Sequence, residues 1–253
     1  MSAWQVRRVV CIAWLFGLAF GWCWGSAYGQ LSTEHDLLRL NQIQAIGSHN
    51  SYHLAPEPEL MKFIELGGKR VAESIDYTHP SLTEQLEQGI RQFELDVYAD
   101  PVGGLFANPL GLQMLRDAGK EPRYVPNRDG KLAQPGLKII HEPNFDYATR
   151  NETFLDALQE IDRWSAEHLD HVPILVLVEL KEKSAVASPL KFVPFDRPHL
   201  LAVDAEIRQG IATQRLLTPD DLRRGEATLR DAIGKHGWPQ LKDCRGKIFF
   251  ALD

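Results

Sequence analysis

Apolar runs of two kinds alternate along the chain. Short strand-like runs occupy residues 42–47 (QIQAIG), 93–98 (FELDVY), 137–141 (LKIIH), 173–180 (PILVLVEL), 216–217 and 247–253 (KIFFALD). Between them, apolar residues recur every three to four positions, the spacing of an amphipathic helix. The clearest such segment is 153–168, where Phe154, Leu155, Leu158, Ile161 and Trp164 share one face. A shorter one spans 82–89, with Ser81 as N-cap and Glu84 three residues on, a capping-box spacing. Helices are also expected over 200–209, 221–224 and 226–235. The run at 173–180 is apolar without alternation, as in parallel strands buried on both faces.

Strands that alternate with helices predict an α/β fold with a parallel sheet. About six strands in βα order point to a (β/α)8 TIM-type barrel, which needs eight. Because the sequence ends at Asp253, on a buried-type strand that would leave an apolar edge open, the barrel is expected to be incomplete at its C-terminal side. The stretch 98–137, rich in Pro, Gly and Asn, is expected to be a surface insertion on the active-site side.

The first residues have a different pattern. Arg7 and Arg8 precede an apolar run over 9–24, and the small residues Gly25, Ser26, Ala27 and Gly29 follow. A positive start, an apolar middle and small residues at the −3 and −1 positions predict a signal peptide over 1–29. The apolar run is shorter than the roughly 20 residues a membrane span needs. The mature domain is then 30–253, a secreted or periplasmic protein. Removal of 1–29 takes away Arg7 and Arg8 but no acidic residue, so the formal net charge moves from −6 to −8. It also removes Cys11 and Cys23, leaving Cys244 without an internal disulfide partner. An acidic exported domain is a poor candidate for nucleic-acid binding, which demands basic patches. Any anionic substrate must therefore be met locally, by a metal or a few placed cations.

Polar residues gather at the C-terminal ends of the expected strands. The first ends in Ser48-His49-Asn50-Ser51-Tyr52, and the second carries Glu94 and Asp96 on one face. The third ends in His141-Glu142, and the fourth in Glu179 followed by Lys181. In a barrel these ends share one mouth. Three carboxylates and an amide carbonyl suit a hard, oxygen-binding cation such as Ca2+ or Mg2+, and without one they would repel each other. Two histidines beside such a cation suit acid–base work on a phosphodiester. Zinc fits less well, because there is no HExxH and no closely spaced Cys/His set. His53, just past the first strand end, is expected at the surface, and Asn151-Glu152-Thr153 fits a glycosylation sequon.

At these residues the sequence resembles the phosphoinositide phospholipases C. Residues 48–52 (SHNSY) look like the SHN-[ST]-Y segment of their catalytic region, and 91–96 (RQFELD) like its R-x-x-E-L-D strand. Residues 173–179 (PILVLVE) match a P-[VI]-x-L-x-L-E strand. An H-x-P-x-x-D run at 141–146 and the VELK stretch at 178–181 resemble the bacterial-type, calcium-dependent branch. The resemblance implies Asn50, Glu94, Asp96 and Glu179 as Ca2+ ligands, and His49 and His141 as the catalytic pair. His141 would be the general acid toward the leaving alkoxide. His49 would stabilise the phosphoryl oxygens or share base duty, with a ligand carboxylate as the other candidate base. Lys181 would bind phosphate or an inositol substituent, or serve only in an ion pair. The implied substrate is phosphatidylinositol or a related glycerophospholipid at a membrane surface, met by rim loops such as the segment after Tyr98. No protein partner is implied. The implied products are diacylglycerol and an inositol phosphate, cyclic at first.

Two other readings stand beside this one. A glycerophosphodiester phosphodiesterase would also use two histidines and a carboxylate-bound metal, but its first strand carries H-R-G where this chain has His49-Asn50-Ser51. A catalytically inactive fragment that binds lipid or inositol phosphate is the alternative of a different class.

Overall fold

One long strand, β1 (Gln92–Asp100), organises the molecule. Along it Phe93, Leu95, Val97 and Ala99 enter the main hydrophobic core, while Glu94, Asp96 and Tyr98 occupy the other face, as the period of two requires. The computed structural model describes residues 35–253. The signal peptide expected over 1–29 lies outside the described residues.

Three further strands complete the sheet among the described residues: β2 (Gly136–Ile139), β3 (Ile174–Lys181) and β4 (Ile248–Leu252), in the order β2-β1-β3-β4. β1, β3 and β4 are parallel, and β2 runs antiparallel to β1. The register sets Asp96 beside Glu179 and Tyr98 beside Lys181.

The described helices are α1 (Pro58–Gly67), α2 (Lys69–Ile75), α3 (Leu82–Glu87), α4 (Leu110–Asp117), α5 (Phe154–Glu167), α6 (Arg197–Gly210), α7 (Pro219–Arg223) and α8 (Leu229–His236). In α5 the predicted stripe is real: Phe154, Leu158, Ile161 and Trp164 are buried against the Phe93 face of the sheet. Thr153 caps it by accepting from the Asp156 N–H. The capping box of α3 also forms, with Ser81 and Glu84 each accepting from the other's backbone N–H, a cap of about 1 kcal/mol. On the opposite face of β1, Tyr98 packs with Leu60 of α1 and with Leu112 and Leu115 of α4. Among the described residues no helix is long and apolar enough to cross a membrane.

The edge of β1 away from β3 is divided between two segments. Its first half pairs with an arm at 46–51, through Arg91 N to Ile46 O (2.9 Å), Ser48 N to Gln92 O (3.1 Å) and Ser51 N to Glu94 O (3.0 Å). Its second half takes β2, with Val97 opposite Ile139 and Asp100 opposite Gly136. The two arms therefore arrive from opposite directions and end at the middle of β1, beside Glu94 and Asp96. Gly47 permits the first approach, since a Cβ there would lie 2.9 Å from Gln92 Cβ.

Several expectations need correction. Among the described residues four strands form where six were expected, and they make an open sheet. Residues 42–47 make only a single bridge, Gly47 to Gln92, because Ile46 is 72% exposed and buries nothing that would hold a longer ladder. Leu216 likewise makes one bridge, to Ile248, before Pro219 starts α7. The strand expected over 137–141 is present but antiparallel, since the chain leaves along β1 and returns beside it. The insertion between them holds α4, which was not anticipated. Nor were α1 and α2.

Candidate active site

Glu94 and Asp96 of β1 and Glu179 of β3 offer carboxylate oxygens that all lie within 4.8 Å of one another. Asp96 is fully buried, and neither of its oxygens accepts a hydrogen bond. Lys181 approaches as an ion-pair partner, with Nζ 3.2 Å from Asp96 Oδ2 and 2.8 Å from Glu179 Oε1. Burial pushes the Asp96 carboxyl up to about 7, with Lys181 pulling it down and Glu179 adding to the rise. Burial also opposes charge on Glu179, but the Lys181 hydrogen bond and charge outweigh it and hold that carboxyl below its ordinary range. Lys181 is burdened by its own burial, yet Glu179 and Asp96 together raise its pKa.

Near the end of the 46–51 arm Asn50 adopts the left-handed region, at φ 47°, a conformation Asn adopts more readily than most residues. Its backbone N–H donates to Glu94 Oε2 (2.9 Å), and its Nδ2 donates to the Tyr77 hydroxyl (3.0 Å). The Tyr52 hydroxyl reaches Asn50 Oδ1 at 3.3 Å, which leaves that carbonyl a further lone pair. Gln85 of α3 locks the arm from behind: its Nε2 donates to Ser51 O (2.7 Å), and its Oε1 accepts from Ser48 Oγ (2.6 Å). His49 projects outward with its side chain 74% exposed, and its Nε2 lies 3.4 Å from Glu94 Oε2.

His141 follows β2 and sits partly buried. A tight return bonds Glu142 N to Asp146 O (3.2 Å) and Asp146 N to Glu142 O (3.1 Å). That turn places the Asp146 carboxylate 2.6 Å from His141 Nδ1. An N–H at Nδ1 donating to Asp146 leaves Nε2 to face the cleft. Burial opposes a charge on His141, but the hydrogen bond and charge of Asp146, with Asp96 behind them, raise its pKa above the ordinary value. Glu142 itself turns away from the carboxylate cluster and closes the turn, accepting from the Asn144 and Phe145 N–H groups.

His53 is not at the surface, as expected, but completely buried. Its Nε2 meets Asp146 Oδ1 at 2.8 Å, and its Nδ1 meets the Tyr77 carbonyl at 3.0 Å. Asp146 thus joins two histidines, a link hidden in the sequence because folding alone brings 53 and 146 together. The one available signal was the spacing of Asp146 five residues after His141. The sequon is also internal: Asn151 is buried and its Nδ2 donates to Glu160 (2.9 Å).

The seven residues singled out by the sequence therefore lie near one another: Asn50, Glu94, Asp96, Glu179 and Lys181 in one connected cluster, His49 at its edge beside Glu94, and His141 in the groove that Glu179 and Lys181 also line. Hard oxygen donors, one of them buried and unsatisfied, fit Ca2+, and Asn50 stands next to them. Fold and cleft together define an α/β protein that pairs a carboxylate cation site with an anchored histidine. The model of the Ca2+-dependent phosphoinositide phospholipase C family matches residues 38–253. The chain belongs to that family, whose cofactor is Ca2+.

Among solved structures, the chain is similar to a calcium-dependent phosphoinositol-specific phospholipase C from a Gram-negative Pseudomonas sp. in its apo form. The TM-score is 0.50 at 15% identity, covering 87% of this chain and 59% of that one. A Ca2+-dependent phosphatidylinositol-specific phospholipase C from Streptomyces antibioticus matches at TM-score 0.48 and 19% identity, over 82% of this chain and 51% of that one. The chain thus spans less than two thirds of either, and the likeness to the Pseudomonas structure concerns the fold. No curated protein matches significantly.

Proposed function

We propose that this protein is a phosphodiesterase of the phospholipase C type that cleaves phosphatidylinositol, or a related glycerophospholipid, at a membrane surface. The products are diacylglycerol and an inositol phosphate, cyclic at first. One observation carries the reading: buried, unsatisfied Asp96 lies against Glu94 and Glu179, beside a histidine anchored by Asp146. Family membership supports it. The open sheet is read as an arc of a (β/α)8 wall, with antiparallel β2 as a departure from that plan.

Asn50, Glu94, Asp96 and Glu179 would hold Ca2+. When bound, the ion would lower the pKa of the inositol 2-hydroxyl and offset charge developing on the phosphoryl oxygens. His141, its Nδ1 fixed on Asp146, keeps a proton at Nε2 and gives it to the departing alkoxide. His49, at the edge of the cluster, stabilises the phosphoryl oxygens or shares with a ligand carboxylate the task of taking the proton from the attacking 2-hydroxyl, and Lys181 offers its ammonium to the phosphate. The protein acts outside the cytoplasm, on the pattern of residues 1–29.

The deciding assay incubates the protein with phosphatidylinositol vesicles, with and without excess EGTA, and follows diacylglycerol and inositol phosphates. Ca2+-dependent release of both is expected, and activity indifferent to chelation overturns the metal assignment. Glycerol phosphate without inositol phosphates would instead identify a glycerophosphodiesterase. His141→Ala should lower kcat by about 10²–10⁴, the range for losing a general acid, and unchanged turnover would dismiss that role.

A further inference from the structure

The buried side chain of Asn50 is held at both ends. Its Nδ2 donates to the Tyr77 hydroxyl (3.0 Å), and its Oδ1 accepts from the Tyr52 hydroxyl (3.3 Å). Its backbone N–H is bound to Glu94 Oε2 (2.9 Å), so the amide stands beside the carboxylate cluster. In that position an amide tends to present the wrong end to a cation. Carboxylates attract its NH2 group, whereas a hard cation takes only its carbonyl oxygen. Tyr77 engages the NH2 end and is itself fixed, in the irregular segment between α2 and α3. Its carbonyl meets His53 Nδ1 (3.0 Å), and the Ala55 N–H donates to Thr78 Oγ1 (3.0 Å). The His79 N–H donates to His53 O (2.9 Å), and His79 Nε2 meets His49 O (2.9 Å). The Tyr77 ring also rests against the buried His53 ring, with centroids 4.4 Å apart. A tyrosine has only two side-chain torsions, so a packed ring on a tied backbone fixes its hydroxyl in space.

We infer that Tyr77 is a positioning residue of the cation site, whose hydroxyl holds the Asn50 amide nitrogen and so presents Asn50 Oδ1 to Ca2+. This rests on the reading of Asn50 as a Ca2+ ligand. Tyr77 needs no contact with the ion. Its contribution is preorganisation: the amide does not have to be turned away from the carboxylates when the ion arrives. The hydroxyl and the carbonyl of this one residue serve different parts of the site. The hydroxyl holds Asn50, while the carbonyl holds His53, whose Nε2 meets Asp146 (2.8 Å). Phenylalanine at this position keeps the ring, its packing on His53 and the main-chain carbonyl. Only the hold on the amide is lost.

The test is a double-mutant cycle on the full chain, read as Ca2+ affinity by calorimetry. Tyr77→Phe should bind Ca2+ about 10–100-fold more weakly than the parent, the range for losing a partner that orients a ligand. Asn50→Ala should lose at least as much. In the Asn50→Ala background Tyr77→Phe should weaken binding by less than about twofold, because no amide is left to orient. An equal loss with and without Asn50 overturns the inference. Native affinity in Tyr77→Phe, where Asn50→Ala is weaker, sinks the positioning role and leaves Asn50 a ligand. Native affinity in Asn50→Ala removes the ligand assignment and the inference with it. Two further readouts hold even where the Asn50 variants bind too weakly to measure. In EGTA, the Nδ2 protons of Asn50 should exchange with water roughly fivefold faster in Tyr77→Phe, as for one lost hydrogen bond, and unchanged exchange by NMR overturns the inference. Urea midpoints separate positioning from support. The variant should lie close to the parent in EGTA and gain less from added Ca2+. A midpoint lowered equally in both conditions makes Tyr77 a purely structural residue and refutes the proposal.

Discussion

Asp146 shows how much one side chain can decide. Its carboxylate fixes which nitrogen of His141 carries the anchored proton, and it raises that ring's pKa against the opposing effect of burial. Asp146→Asn should therefore lower kcat by about 10²–10⁴ with little change in KM. Its pH–rate profile should move as well. A general acid fails as pH rises through its pKa, so a lowered His141 pKa shifts the alkaline limb to lower pH. A limb that stays in place would mean Asp146 serves only stability. His171 offers an independent pH test far from the cleft. Its Nδ1 donates to Val172 O (2.7 Å) and its Nε2 accepts from Ser165 Oγ (2.7 Å), while burial, opposed by the Val172 bond, holds its pKa below the ordinary value. Between that lowered value and about 6.5 the unfolded chain takes up a proton that the folded one refuses, so stability falls as pH drops. Urea midpoints at about pH 7.5 and 5.5 should differ less in His171→Gln than in the parent; equal losses would refute this. The residues that gather in the cleft were legible because carboxylates and histidines at the ends of apolar runs are unusual company. His53 was not, since a histidine destined for burial has no distinguishing neighbours in the chain.

At the scale of elements, the arm at 46–51 and β2 show what periodicity conveys and what it omits. Both were recognised as apolar runs. Pattern does not encode strand direction, so β2 was expected to run parallel. Nor does it reveal that Ile46 finds nothing to pack against, which reduces the first run to a single bridge. α1 and α2 escaped notice because Gly67 and Gly68 interrupt their periodicity, whereas α3 and α5 announced themselves through Ser81, Glu84 and an unbroken stripe. The close approach of the arm to β1 can be tested. Gly47→Ala sets a Cβ 2.9 Å from Gln92 Cβ, an atom too near the backbone to swing aside. The change should cost about 1–3 kcal/mol in urea unfolding, the range for overpacking. Because Asn50 travels with the arm, Ca2+ affinity by calorimetry should fall about 10–100-fold, as for loss of a supporting contact. An alanine variant with native affinity would show that the arm does not position Asn50.

For the whole molecule, the α/β class was readable and the strand count was not: four strands form an open sheet among the described residues, where an incomplete barrel of about six was expected. Stability and function oppose each other at its centre, where Asp96 is buried without a hydrogen bond. In EGTA, Asp96→Asn should unfold at a higher temperature than the parent, because a buried charge has gone. With Ca2+ the order should change. At a hundredfold excess over Kd the parent gains about 2.7 kcal/mol, and the variant should gain almost none. Calorimetry with and without Ca2+ checks both, and a variant that keeps the full Ca2+ response removes Asp96 from the ligand set.

The divided edge of β1 has one more consequence. Side chains alternate along the strand, so a one-residue slip would send Phe93 and Leu95 into the cleft and bury Glu94 and Asp96 under α5. The arm and β2 grip the same strand from its two ends, so β1 cannot slip without breaking the bonds it makes to both. Alignment of the backbone and assembly of the cation site are thus a single event. A misaligned chain would fail at once as a folded protein and as a catalyst, with no stable, inactive halfway form in which to rest.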